Sequence, residues 1–351
     1  MSDVESGTAE SSTAESSTAE SSTAELGGAA RQQGLVLAVD VGGTKLAAAL
    51  VDSEGRIAVY DRVATPNPAV PDGGGRDAER LWRTLRALLD KLVTDAGDPP
   101  LAGVGVGCGG PMTWPAANVS PLNIPAWRDF PLRDRLRARY PDLPVRIHND
   151  AICVAIGEHW RGAGRDRDNV LGMVVSTGVG GGLVLGGRLV NGASGNAGHI
   201  GHVVVDPEGP PCACGGRGCL EAVARGPALV AWARERGWRR ENPHATGVDL
   251  AADARQAHPV AVAAMRRAGR ALGVALASAT HLCDLDVVAV GGGLSQTGPL
   301  LFDPLREAFG EHAGLEFARR AEIVPAELGQ TAGLVGAAAL VLAQDHYWSA
   351  G

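Results

Sequence analysis

Aromatic side chains make up only 4% of this 351-residue chain, and six cysteines stand against 49 glycines. With so few large rings, backbone turns matter as much to this protein as bulky packing does. Six cysteines in so long a chain are too sparse for a disulfide scaffold, and three of them crowd between Cys212 and Cys219. That usage points to a reducing compartment, the cytoplasm. A basic surplus is missing too: Lys and Arg total 32 against 39 Asp and Glu, a net charge of -7. A nucleic-acid surface needs a cationic stripe to neutralise phosphates, so that partner is excluded. A small anionic substrate is not, because a pocket can be locally basic. No uncharged apolar run reaches the roughly 18 residues of a membrane span, and the polar start does not read as a secretory signal. Among nucleotide motifs, GxxxxGK[ST] is absent, and STGVGGG at 176–182 is not the GxGxxG that opens a dinucleotide-binding helix.

What is present is a 45% hydrophobic chain, enough for one large core or two medium ones. Residues 1–33 hold SSTAE three times in tandem from Ser11 to Glu25 and no apolar periodicity. Such a segment buries too little to offset the entropy of ordering, and is expected to be a disordered tail. Next, LVLAV from Leu35, LAAALVD and a run near Ile57–Val63 predict a meander, with a loop from Pro66 to Gly75. Leucines 81, 85, 88, 89 and 92 predict a helix over 77–92. Further strands are expected from Leu101, from Val145, at Val170–Ser176, in VVAVG and at Ala321–Val324. Further helices are expected at Trp127–Tyr140, Ala151–Arg161, Pro227–Arg236, Pro259–Leu282 and Ala332–Ala343. The expected organisation is an N-terminal α/β lobe over 34–150, joined by a returning segment at 330–347, and a C-terminal α/β lobe over 151–329. Gly333 and Gly336 in the returning segment favour close backbone approach.

Three strand-to-glycine turns recur: DVGGT at 40–44, STGVGGG at 176–182 and GGGLS at 291–295. Small residues let consecutive amides converge on an anion, and the hydroxyls of Thr44, Ser176 and Thr177 add donors. One such turn is as often a plain tight turn; three fit a nucleotide polyphosphate spanning two lobes. Asp40, ending a strand beside the first turn, can hold Mg²⁺ directly or through water. HNDA at 148–151 places Asp150 where a strand gives way to a helix. It reads either as a helix cap or as a general base for a sugar hydroxyl. Asn149 and Asn123, the latter in the Pro-bounded SPLNIPAW, are candidates to orient hydroxyls.

Cys212, Cys214 and Cys219, preceded by His199 and His202, offer the four ligands of a closed tetrahedral Zn²⁺ site. Either histidine can supply the nitrogen. Glycines and prolines around the cysteines provide little core, which argues against merely buried thiols. With no position left open, hydrolytic metal catalysis is not expected. Glu221, two residues beyond Cys219, would be fixed in space by the ion, so the cluster reads as a metal centre stiffening the wall of a polar ligand site.

These motifs together resemble the ROK family of sugar kinases and regulators, within the actin-like and hexokinase-like ATPases. The resemblance spans residues 35–345 and rests on DVGGTKLAAALVD, LNIPAW, NDA, STGVGGGLV, GNAGHIGH, CACGGRGCLE and VAVGGGLS. It implies a two-lobed α/β actin-like ATPase (ribonuclease H-like) fold with an interlobe cleft and a structural zinc site. It implies ATP, Mg²⁺ and Zn²⁺ as cofactors, a cytoplasmic homodimer, and transfer of the γ-phosphoryl group to the 6-hydroxyl of a hexose. By the same resemblance, the first turn (Asp40, Gly42, Gly43, Thr44, Lys45) and the second (Thr177, Gly178, Gly180) hold ATP phosphates. Gly292 and Gly293 approach the adenosine. Asp150 is the catalytic base; His202, Cys212, Cys214 and Cys219 hold zinc; and Asn123, Asn149, His199, His202 and Glu221 meet the sugar.

One position departs from the commonest pattern. Glucokinases of the family usually carry Glu three residues before the zinc histidine, where this chain has His199. The GHIGH arrangement is similar to bacterial N-acetylmannosamine kinases, which makes N-acetylmannosamine the leading substrate, with glucose or a free amino sugar (kanosamine-type) as alternatives. An imidazole can donate or accept where a carboxylate only accepts. Family repressors carry a winged-helix domain ahead of the sugar-kinase body and are expected to lose phosphate-turn residues. Here DVGGTK and STGVGGG are intact, which disfavours a non-catalytic sugar sensor.

Overall fold

The structure, a computed structural model, describes residues 34–66 and 75–348. The repeat segment 1–33 and nearly all of the expected 66–75 loop lie outside the described residues. The described residues form one compact unit.

The chain runs β1 (Leu35–Val41), β2 (Lys45–Val51), β3 (Ile57–Ala64), α1 (Gly75–Asp95), β4 (Leu101–Cys108), α2 (Leu132–Arg139), β5 (Val145–Asn149) and α3 (Asp150–Arg161). It continues with β6 (Val170–Val175), β7 (Val179–Leu185), β8 (Arg188–Leu189), α4 (Leu220–Ala224), α5 (Gly226–Glu235), α6 (Gly247–Arg255) and α7 (Pro259–Cys283). Last come β9 (Val287–Gly291), α8 (Pro299–His312), α9 (Glu316–Arg319), β10 (Glu322–Pro325), α10 (Ala332–Leu342) and α11 (Gln344–Tyr347). The two sheets have five strands each, ordered β3-β2-β1-β4-β5 and β10-β9-β6-β7-β8. Each is the same construction: an antiparallel meander whose first strand is flanked by two parallel strands arriving later in the chain.

Why these segments are strands follows from their apolar content. β1 and β2 are buried along nearly their whole length, as expected of strands covered on both faces. By contrast, β3, at the sheet edge, alternates between half-buried and exposed. The leucine stripe of α1 packs on β2 and β3. Helix α10 lies on β1, β4 and β5, helix α3 lies on β6 and β7, and the two helices pack on each other between the sheets. Glycine permits that crossing. A Cβ on Gly336 would overlap the Cys153 carbonyl, and one on Gly157 the Ala332 carbonyl. The close approach expected at Gly336 is therefore present, whereas a Cβ at Gly333 would meet only ordinary contacts, 3.9 Å from the Asp40 carboxyl carbon.

One expected helix is shorter than the sequence predicts. Trp127–Tyr140 was read as helical throughout, but the helix begins only at Leu132. Trp127 is instead fully buried in the preceding turn, stacked on Phe130 with ring centroids 4.4 Å apart. Burying the indole there outweighs the helical propensity of the flanking residues. The sequence pattern predicts none of α4, α6, α9 and α11; α6 is opened by a capping box in which Thr246 and Asp249 satisfy each other's backbone amides. No helix among the described residues is long and apolar enough to cross a membrane.

Candidate active site

Parallel strands end together, and ligand sites in open α/β sheets gather at those ends. In the first sheet the register pairs Asp40 of β1 with Gly107 of β4, and Cys108 of β4 with Asn149 of β5. Asp40, the Gly109–Gly110 turn and Asn149–Asp150 therefore share one edge. In the second sheet Val174 pairs with Gly291, so the turns after β6 and β9 are neighbours. A Cβ on Gly293 would lie 3.8 Å from the Ser176 hydroxyl oxygen.

The cap question at HNDA resolves in favour of Asn149. Its Oδ1 accepts from the Ala151 N–H at 3.0 Å, and it occupies the N-cap of α3. Asp150 is the first helical residue; its Oδ1 also accepts from the Ala151 N–H, at 2.8 Å. Burial raises the Asp150 carboxyl above the ordinary carboxylate range, with the Ala151 N–H and His199 opposing that rise. Asp40 is raised to about 6, by burial first and then by repulsion from Asp150, with Lys45 pulling the other way. Two desolvated carboxyls, one of which raises the pKa of the other, form a setting a divalent cation relieves, so the residues present fit Mg²⁺ at Asp40.

Around this pair the other predicted residues assemble. A Cβ on Gly43 would come within 2.9 Å of the Asn123 amide nitrogen, and one on Gly109 would lie 3.3 Å from Asn123 Oδ1 and 3.8 Å from Asp150 Oδ2. Glycine at 43 thus lets the first turn reach Asn123, while Gly109–Gly110 seats Asn123, Asn149 and Asp150 side by side. Gly109 and Gly110 are not among the residues the sequence marks for the site; two consecutive glycines ending a buried strand are the signal that points to them. Lys45 Nζ donates to Gln330 Oε1 at 3.2 Å, tying the first turn to the start of the returning segment. Gln330 had not been singled out. Thr44 is exposed, and its carbonyl accepts from the Thr65 N–H at 3.0 Å. The second turn touches α3 directly, since a Cβ on Gly180 would lie 2.6 Å from the Ala151 Cβ. Thr177 is exposed at its tip, and Gly292 sits at φ 91° against Val175.

In the loop after β8, one ligand atom from each of His202, Cys212, Cys214 and Cys219 lies within 4.8 Å of the others. His202 Nδ1 is 3.7 Å from Cys212 Sγ, and Cys214 Sγ is 3.7 Å from Cys219 Sγ. One nitrogen and three sulfurs so gathered fit a closed structural Zn²⁺ site. Of the two histidines left open by spacing, His202 joins the cysteines. His199 is exposed, its ring edge-on to His202 with centroids 5.2 Å apart. Glu221 Oε2 accepts from the Val179 N–H at 3.0 Å, so the cysteine loop also reaches the second glycine turn.

Two sheets of one topology, with glycine turns at their strand ends and a half-buried carboxyl pair beside them, define an α/β protein of the actin-like ATPase fold. The chain matches the ROK family over residues 36–344, and it belongs to that family. It is 35% identical over 332 residues to a glucokinase of Streptomyces coelicolor, covering 89% of this chain and 99% of the relative. It is equally 35% identical, over 302 residues, to an N-acetylmannosamine kinase of Yersinia pseudotuberculosis, covering 86% of this chain and 96% of the relative. Among solved structures, a ROK family glucokinase from Streptomyces griseus in complex with glucose and AMPPNP superposes with a TM-score of 0.74 at 37% identity. That match covers 88% of this chain and 99% of the other.

Proposed function

We propose that this protein is an ATP-dependent hexose kinase in which Asp150 takes the proton of the acceptor hydroxyl. One observation carries the reading. Asn149 is the N-cap of α3, and Asp150, with Oδ1 on the Ala151 N–H and Oδ2 facing the Gly109 turn, is a half-buried carboxyl of raised pKa next to Asp40 and beside the glycine turns. A base so tuned holds a proton more strongly than an exposed carboxylate does, which suits general-base work near neutral pH. The hydroxyl oxygen attacks the γ-phosphorus in line, its proton passes to Asp150, and the bond to the ADP oxygen breaks. Backbone amides of the turns at 40–45 and 176–182 stabilise the charge on the transferring group.

Asn123 and Asn149 would orient the sugar on one side, and His199, His202 and Glu221 on the other, with Gly292–Gly293 at the adenosine. Closure of the two lobes over the cleft would exclude water. Mg²⁺ at Asp40 would neutralise phosphate charge, and Zn²⁺ on His202, Cys212, Cys214 and Cys219 would brace the sugar wall. For the sugar itself, the histidine at 199 supports N-acetylmannosamine, because an imidazole can both donate and accept around an acylamino group. Glucose and free amino hexoses are the alternatives. A cytoplasmic homodimer belongs to the same reading.

The test is ADP release measured by a coupled assay across glucose, N-acetylglucosamine, N-acetylmannosamine, mannose and free amino hexoses. Sugar-dependent turnover supports the kinase. Sugar binding without ADP release would instead identify a sensor.

A further inference from the structure

His148 precedes the Asn149–Asp150 pair and is fully buried, yet nothing above uses it. Its Nδ1 accepts from the Asn149 backbone N–H at 2.9 Å, and its Nε2 lies 2.8 Å from Asn191 Oδ1. These two contacts fix the tautomer. Facing an N–H donor, Nδ1 must be bare; facing a carbonyl oxygen, Nε2 must carry the proton. The ring is neutral, and burial keeps its pKa down at about 4.

The two ends of this imidazole belong to different sheets. Asn149 ends β5 of the first sheet, whereas Asn191 follows β8 at the edge of the second. Asn191 also closes a turn, its carbonyl accepting from the Ala197 N–H at 3.2 Å, two residues before His199. Trp114 holds the ring in place, with centroids 5.1 Å apart and planes 35° from parallel. The same indole packs on Gly195 of that turn, where an added Cβ would meet it at 3.1 Å. The imidazole is thus a hydrogen-bonded strut between the strand end that presents Asp150 and the loop that presents His199 and His202.

We infer that His148 is a positioning residue that sets the distance between the phosphoryl-transfer base and the sugar-facing loop. This rests on the kinase reading. Its consequence is selective: loosening the 191–199 loop weakens the sugar's hold and alignment, while the ATP turns at 40–45 and 176–182 keep their contacts.

Steady-state kinetics of the full chain tests it, with glucose or N-acetylmannosamine, whichever turns over faster. H148F keeps a ring against Trp114 and deletes both hydrogen bonds; H148Q keeps a donor near the Nε2 position. N191A removes the partner from a half-buried turn, and carries the test if H148F does not fold. H148F and N191A should each lower kcat/KM for the sugar about tenfold or more, with the ATP KM within about twofold. The double variant should be no worse than the poorer single, and H148Q should recover most of the loss. Additive losses, an equal rise in the ATP KM, or unchanged sugar kinetics would overturn the inference. Absence of sugar-dependent ADP release by the wild type would remove the kinase reading as well, so the two failures are distinguishable.

Discussion

The carboxylate of Glu221 accepts a hydrogen bond from the backbone N–H of Val179 at 3.0 Å. Glu221 sits in the first turn of α4, directly after the last cysteine, and Val179 opens β7 immediately past the second glycine turn. The cysteine cluster and the second glycine turn are therefore connected, and a residue expected only at the sugar also holds that turn.

Glu221→Ala deletes that acceptor, whereas Glu221→Gln retains one. A hydrogen bond to a charged group contributes roughly 1.5–3 kcal/mol, so Glu221→Ala should raise KM for both ATP and sugar by about tenfold. Glu221→Gln should spare ATP and affect the sugar. Identical, sugar-only effects of both variants would confine Glu221 to sugar contact.

Asp150→Asn keeps shape and removes the base. Turnover should fall by about 10²–10⁴, with the sugar KM changed only a few-fold. Because burial raises the Asp150 pKa, the acid limb of kcat/KM should lie above the ordinary carboxylate range, with activity climbing as pH rises through it. A near-wild-type kcat in the variant would take Asp150 out of the base role.

Asp40 makes a stability prediction of the opposite sense. Its folded-state pKa of about 6 exceeds the ordinary 3.8. The folded state therefore binds protons more tightly, and the contribution of Asp40 to stability, full below the unfolded value, is lost as pH rises through 6. Asp40→Asn should raise Tm at pH 8, by an effect on the order of 2 kcal/mol in the absence of Mg²⁺. The gain should vanish near pH 4, and kinase activity should be lost. Calorimetry at the two pH values is the measurement, and an unchanged Tm at pH 8 would contradict the raised pKa of Asp40.

Cys214 is the exposed member of the cluster. Cys214→Ser should lower bound zinc per chain, measured by elemental analysis, and raise the sugar KM more than the ATP KM. Full zinc retention, or equal weakening of both substrates, would show that the cluster does not brace the sugar wall.

His199→Glu restores the carboxylate usual in glucokinases of the family. The ratio of kcat/KM for glucose to that for N-acetylmannosamine should rise, by roughly tenfold or more if one hydrogen bond is exchanged. An unaltered ratio would show that position 199 does not select the sugar.

Much of the fold is legible in residue order. Apolar runs bounded by glycine gave the strands, a leucine stripe gave α1, and an apolar run past Thr331 gave the helix that returns to the first sheet. The shortfall at 127–131 has a physical origin: Trp127 is worth more buried on Phe130 than exposed in a first helical turn. Helices α4 and α6 escaped notice because five- and nine-residue elements carry too few periods to show a face.

Composition and spacing alone fix that the chain carries glycine turns after its strands, a cluster of cysteines and histidines and an acid at a strand end, since each depends only on neighbours close in sequence. That His148 reaches Asn191 and Glu221 reaches Val179 was decided by contacts between residues more than 40 positions apart; which histidine joins the cysteines was decided by how the loop between them folds. Sheet register and helix crossing set those distances, and local sequence carries no record of them.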